Sequence, residues 1–385
     1  MKNMSMKYNQ YIWEDIFVKI DKSTFIPQNG VAEFYVIAEI LQYNLSGAEQ
    51  FYYIEQAVSR MKESEEFKNF VFVWKRYFVS DLTNQQSWIK SSSETAVSVV
   101  QQPPLNRTKL ALLIYGVENA LIHKEDDGTV LMKRPHYTHL YNVNLQEEKG
   151  NSYEQTQVVF EKYIQALSKH QCNLEANCLR TWLFVKNIDQ QYNGMVCARR
   201  EIFSNEGLTP QTHFIASTGI EGQPANPEVI VMLDGYAIKE IKREQICFLH
   251  ASKNLNPTHE YGVTFERGTS IQFGDRKHIL ISGTASIDNQ GKILYPLQLE
   301  KQTGRTMENI RALLEEADAG WEDVAHLIVY LRDIADYENT KIYFDKNFPE
   351  IPYIILLAPV CRPGWLIEVE CSAIKDVSDC RFNEF

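Results

Sequence analysis

Near the end of the chain, the stretch PVCRPGWLIEVECSA (residues 359–373) sets a thiol, a guanidinium and two carboxylates into a segment otherwise apolar enough for a buried strand. Cys361, Arg362, Glu368 and Glu370 suit one kind of chemistry. A forked guanidinium holds a carboxylate through two parallel hydrogen bonds. A glutamate taken out of water rises in pKa toward neutrality, where it can exchange protons. Strand side chains alternate, so Glu368 and Glu370 share a face, which is either a site or the solvated face of an edge strand. Arg362 is either an anchor or a surface arginine on a loop. A thiol in an apolar strand is more often a small hydrophobe than a nucleophile.

Other chemistries find no support. There is no GxGxxG or Walker loop, and GTAS is not a nucleophile elbow. The nine histidines and seven cysteines lack metal-ligand spacing, and Cys172 and Cys178 have no matching second pair, so neither metal nor cofactor is expected. A net charge of −11 argues against a nucleic-acid partner. No run of 18 apolar residues exists to span a membrane, and the N-terminus lacks a signal-peptide pattern. Seven scattered cysteines fit reduced thiols in a cytoplasmic protein.

At 385 residues and 44% hydrophobic, the chain has room for two or three domains. Its elements recur in one order: helix, strand, short helix, strand, strand. At the end these are TMENIRALLEEA, HLIVYLRD, YENTKIYFDKNF with Asp336 as candidate N-cap, YIILLAPVC and WLIEVECSAI. The middle gives YEQTQVVFEKYIQALSKH, LRTWLFVKNID, QQYNGMVCARREIF, THFIASTGI and EVIVMLDGYAI. The beginning gives FYYIEQAVSRMKES, FVFVWKRYFVSD, LTNQQSWI, AVSVVQQPP and KLALLIYGVE. Strand-rich runs precede each long helix. The pattern predicts an α+β protein of three similar units (residues 1–120, 121–245 and 246–385), each a mixed sheet with helices on one face.

In the last unit, ISGTASIDNQG, TMENIRALLEEA, VYLRDIADY, FPEIPY and CRPGWLIEVECSAI resemble the RidA/YjgF family, which shares a chorismate-mutase-like fold, over about 100 residues. Such proteins are homotrimers of a small α+β unit with clefts between subunits. Three units in one chain would make a single-chain pseudo-trimer, standing alone as a monomer or associating further. Residues 178–375 are similar to the chorismatase branch through LRTWLFVKNID, ARREIF, ASTGIEG, EYGVTFERGTS, ISGTASI and CRPGWLIEVE, although the tyrosine segment lacks that branch's proline.

The resemblance implies an enzyme for a small carboxylate substrate, in which Glu368 protonates the enolpyruvyl group of chorismate or a relative and water releases pyruvate. Arg362 anchors a carboxylate, and Arg199 (or its neighbour Arg200) takes a second. Tyr261 and Arg267 match pocket positions. Thr218 and Gly219 offer backbone donors, or else form a turn needing glycine. Cys361 and Ala285 match a pair of positions that steer the product, Ala285 resembling the hydrolase type and Cys361 the hydroxybenzoate type. RidA deaminases take their anchor from a P-x-R pattern, where this chain reads IPYIILL with Ile354 or Tyr353 in the arginine's place. An imine deaminase is therefore the runner-up, and a non-catalytic small-molecule binder the third reading.

Overall fold

The structure, a computed structural model, describes residues 6–90 and 92–385; of Tyr261 it describes the backbone but not the side chain. The first sheet contains β1 (Met6–Trp13), β2 (Val18–Phe25), β3 (Glu33–Ile40), β4 (Phe70–Val79), β5 (Ala96–Gln101) and β6 (Leu110–Glu118). Helix α1 (Gly47–Glu63) follows β3, and the single turn α2 (Leu82–Gln85) follows β4. The second sheet contains β7 (Leu121–Lys124), β8 (Val130–Lys133), β9 (Thr138–Gln146), β10 (Cys178–Val185), β11 (Ala216–Glu221) and β12 (Val231–Lys239). Its helices are α3 (Ser152–Lys169), the short α4 (Leu174–Asn177) and α5 (Ile188–Asn205). The third contains β13 (Ile246–Leu249), β14 (Gly268–Gln272), β15 (Arg276–Ala285), β16 (Val324–Leu331), β17 (Tyr353–Leu357) and β18 (Ile367–Asp376), with α6 (Leu299–Glu316) and α7 (Tyr337–Asn347).

All three sheets share one strand order, 1-2-3-6-4-5 when each unit's strands are counted from its own start. The fourth and fifth strands pair in parallel, and the last strand of each unit lies inside its sheet between the third and fourth. The protein is thus α+β, with three tandem units of one topology. The long helices cover one face of each sheet because their apolar residues recur at helical spacing. Helix α1 buries Phe51, Ile54, Val58 and Met61, and α6 buries Met307, Ile310 and Leu314. Capping boxes, Ser46 with Glu49 and Asn151 with Glu154, start α1 and α3. Asp336 holds the N-cap position of α7 as expected but makes no side-chain capping bond, whereas Asp333 caps the preceding 3-10 turn by accepting from the Ala335 N–H.

The uncovered faces meet one another around a common axis. Each seam carries a buried arginine–carboxylate pair. Arg76 of β4 donates to Asp234 of β12 at 2.8 Å, and Arg180 of β10 donates to Glu370 of β18 at 2.8 Å. Arg276 of β15 binds Glu33 of β3, which His278 also contacts at 2.9 Å. Register relates the units residue by residue. Phe78, Phe184 and Tyr330 are each the penultimate residue of the fourth strand, and opposite them on the last strand lie Ala111, Met232 and Glu368. Two positions on, the equivalents are Leu113, Asp234 and Glu370.

No helix among the described residues is long and apolar enough to cross a membrane, and no group of three histidines, cysteines or acids there could hold a metal. None of the seven cysteines is disulfide-bonded. The seams make a testable demand. Replacing Arg76 by Met strands Asp234 in the interior and is expected to cost about 3–5 kcal/mol. Replacing Lys341 of the exposed Lys341–Asp345 pair by Ala should cost about 0.5 kcal/mol or less. Urea unfolding of the two variants checks the contrast.

Candidate functional site

A narrow cleft lies between the second and third units, at the edge of β11. That edge meets the third unit through bridges of Ala216 to Glu266 and Ile220 to Val360. From the second unit, α5 supplies Tyr192 and Arg199, and β11 supplies Ser217 and Gly219. The third unit supplies Arg267 just before β14, Gly283 and Ala285 from β15, Cys361 and Arg362 from the loop after β17, and Glu368 from β18.

Glu368 and Glu370 are each only 5% exposed. The edge-strand alternative fails because β18 is interior, between β15 and β16, a placement set by sheet order rather than by local sequence. The two acids have different surroundings. Glu370 receives hydrogen bonds from Arg180 (2.8 Å), Trp182 Nε1 (2.8 Å) and the Tyr330 hydroxyl (2.6 Å). Burial alone would raise its pKa, but the charges of Arg180 and Arg76 and these bonds outweigh it and hold the carboxyl below the usual range. Glu368 turns into the cleft. Burial, then the charge of Glu370, push it up to about 8 against the opposing pull of Arg180 and Arg267. At neutral pH the site therefore holds one carboxylic acid, while its neighbour two residues along is a carboxylate.

Room for that acid comes from Gly283. Residues 282–283 form an irregularity in the pairing of β15 with β18, and a Cβ at Gly283 would collide with Glu368 Oε1. The Gly283 N–H donates to Thr218 Oγ1 at 2.9 Å, and Arg180 Nη2 donates to the same oxygen at 2.6 Å. Thr218 thus contributes its side chain to the cleft wall's framework. Gly219 lies within β11 rather than in a turn, with Tyr192 and Met195 against its open side, so the turn alternative is corrected.

Three guanidinium groups converge on the cleft. Arg199 is buried on α5, whereas Arg200 turns away and donates to the Gly262 carbonyl. Arg267 is fixed by Asn256, through its carbonyl and Oδ1, both at 3.1 Å. Arg362 lies over the Trp365 ring at 5.1 Å, and that indole donates to the Ser286 carbonyl. Cys361 is bonded by Tyr192; burial and the neighbouring Glu368 push its thiol up to about 12, so it carries its proton at neutral pH. Ala285 faces the same cleft, and the Tyr261 side chain lies outside the described residues. Arg180 and Gly283 went unrecognised in the sequence. Gly283 left a signal as a glycine inside a strand-like run; Arg180 left none beyond its place beside Trp182.

The other two clefts lack the acid, since the positions equivalent to Glu368 are Met232 and Ala111. Ile354, the residue in the place of the deaminase arginine, lies on β17 at the other side of the third unit, and its equivalent in the acid-bearing cleft is Thr218.

The charge state of Glu368 has a thermodynamic signature. A folded-state pKa near 8 against about 4.5 unfolded means the native protein binds more protons between these values. Stability then falls as pH rises through this window and levels off above it. Glu368→Gln removes that slope, and by pH 8 the variant should gain about 3–4 kcal/mol relative to its standing at pH 5. Unfolding midpoints measured across pH 5–9 test this; parallel profiles would contradict it.

Comparison with known proteins gives the same architecture. The family model described as Endoribonuclease L-PSP matches residues 270–375. A RutC family protein of Pyrococcus abyssi is 33% identical over 100 residues, 26% of this chain and 79% of the relative. A 3-aminoacrylate deaminase, RutC, of Acinetobacter baylyi is 28% identical over 94 residues, 24% of this chain and 74% of the relative. Among solved structures, a chorismatase aligns over 78% of this chain and 92% of its own with a TM-score of 0.63, at 16% identity, a likeness of fold. With three units of this fold in a single polypeptide, the chain belongs to the RutC/YjgF family.

Proposed function

We propose that the cleft between the second and third units protonates and hydrates the enolpyruvyl group of chorismate or a closely related unsaturated carboxylate, releasing pyruvate. The observation that carries this reading is Glu368, buried and facing a cleft lined by Arg199, Arg267 and Arg362, where burial and the charge of Glu370 push its pKa up to about 8. A dianion suits such a cleft, because Arg199, Arg267 and Arg362 bring three cations to its lining while Glu368 in its protonated form adds no charge.

Arg362 anchors one carboxylate, and Arg199 with Arg267 takes the other, which fixes the vinyl group against Glu368. Glu368 gives its proton to the terminal vinyl carbon, and the positive charge that develops falls on the ether carbon. Water adds to that carbon and returns a proton to the Glu368 carboxylate. The resulting hemiketal breaks its bond to the ring oxygen, giving pyruvate and the ring alcohol. The protonated resting state suits this order, since an acid of pKa near 8 is loaded at neutral pH. Cys361 and Ala285 line the same cleft, and in this reading they influence the fate of the ring, the thiol acting as a packing group in its protonated form.

A deaminase reading draws support from the RutC relative named for 3-aminoacrylate. It is disfavoured because neither Ile354 nor Thr218 can hold a carboxylate as an arginine does.

Incubation with chorismate, followed by a coupled assay for pyruvate, tests the proposal. Wild-type protein should release pyruvate, and Glu368→Gln should lower kcat about 10²–10⁴-fold with KM little changed. Arg362→Ala should instead act mainly on KM, by about tenfold to a hundredfold. Ammonia from 2-iminobutanoate with no pyruvate from chorismate would overturn the reading.

A further inference from the structure

Glu370 is too deeply engaged to touch a substrate. Its carboxylate is filled by Arg180, Trp182 and Tyr330, and it lines the cavity on the common axis, with Trp74, Arg76 and His326, rather than the cleft. Yet it is two residues from Glu368 on the same strand face, a Cα separation of about 6.6 Å. We propose that Glu370 is the positioning residue of this site, a fixed carboxylate that keeps Glu368 loaded with the proton it delivers, and this rests on the reading of Glu368 as the proton donor.

The same joint occurs where there is no acid to tune. At the seam of the first and second units, Arg76 binds Asp234, the equivalent of Glu370, but the residue two positions earlier is Met232. The order of the partners is exchanged: β4 presents Trp74 and then Arg76, whereas β10 presents Arg180 and then Trp182. In both seams an arginine and a tryptophan from the preceding unit face the acid. The joint is therefore structural in itself, and only at the second seam does its negative charge lie beside another carboxyl. The groups facing Glu368 are Arg180 from β10, Arg199 from α5, Arg267 before β14, Cys361 and Arg362 from the loop, and Glu370 on its own strand. Glu370 is the fixed negative charge in that set. Those facing Glu370 are Arg180, Arg76, Tyr330 and His326.

Asp234 supplies the control that separates tuning from stability. The protonation of Glu368 can be followed without substrate as the carboxylic-acid infrared band that Glu368→Gln abolishes. In Glu370→Gln, which keeps the shape, the titration midpoint of that band should fall by about one pH unit or more, a tenfold loss of the acid form above the midpoint. Asp234→Asn should lower the unfolding midpoint of the protein while leaving the Glu368 titration where wild type has it. Glu370→Asp, which keeps the charge, should restore the wild-type titration and covers the case in which Glu370→Gln does not fold. An unmoved midpoint in Glu370→Gln, or an equal shift in Asp234→Asn, or a shifted one in Glu370→Asp, would overturn the proposal. Because no substrate is present, these outcomes stand apart from whether chorismate is turned over.

Discussion

Three buried arginine–carboxylate pairs, one at each seam, set the conditions for everything else in this molecule. The two side chains of each pair come from different units, so the ion pair itself forms only when the sheets close around the axis. Removing such ions from water costs several kcal/mol each, which is recovered only at good geometry with the remaining hydrogen bonds made. The geometry is supplied: Glu370 has three donors, and Asp234 is held by Arg76, Ser98 and the Asn144 N–H. The pairs therefore select one arrangement of the units over sliding alternatives, and the clefts at the sheet edges inherit that precision.

Covalent linkage of the units has a physical consequence that three identical subunits could not have. In a symmetric trimer each cleft must carry the same residues. Here the last strand presents Ala111, Met232 or Glu368 at one position, and the third sits among three guanidinium groups. Two clefts are free to serve packing, and one is free to hold an ionisable group at a cost the other seams need not share. At that seam Gly283 clears the space that the Glu368 carboxyl occupies.

The α+β class, the three repeats and the order of their elements were legible because they rest on local period: apolar spacing in α1 and α6, β-rich runs, and short breaks between them. The grouping of Glu368, Cys361 and Arg362 was legible from one short segment, and family resemblance drew Arg199, Arg267 and Ala285 to it. What local pattern could not convey depended on which strand lies beside which. That the chain's last strand is interior, and its two glutamates buried, follows from the 1-2-3-6-4-5 order. Arg180 meets Glu370 across 190 residues of sequence, so nothing near either residue announces the other. The start of α7 shows the limit at small scale: its position at Asp336 was legible, but the 3-10 turn before it, capped by Asp333, leaves the Asp336 side chain without a capping bond.

The cleft built by the second and third units is proposed to hold the substrate against Glu368. A crystal structure of the Glu368→Gln variant with chorismate tests it most directly. One ligand per chain is expected, in that cleft, its carboxylates on Arg362 and on Arg199 with Arg267, and its vinyl carbon against the side chain of residue 368. Ligand in a cleft lined by Met232 or Ala111, or carboxylates directed away from these arginines, would contradict it.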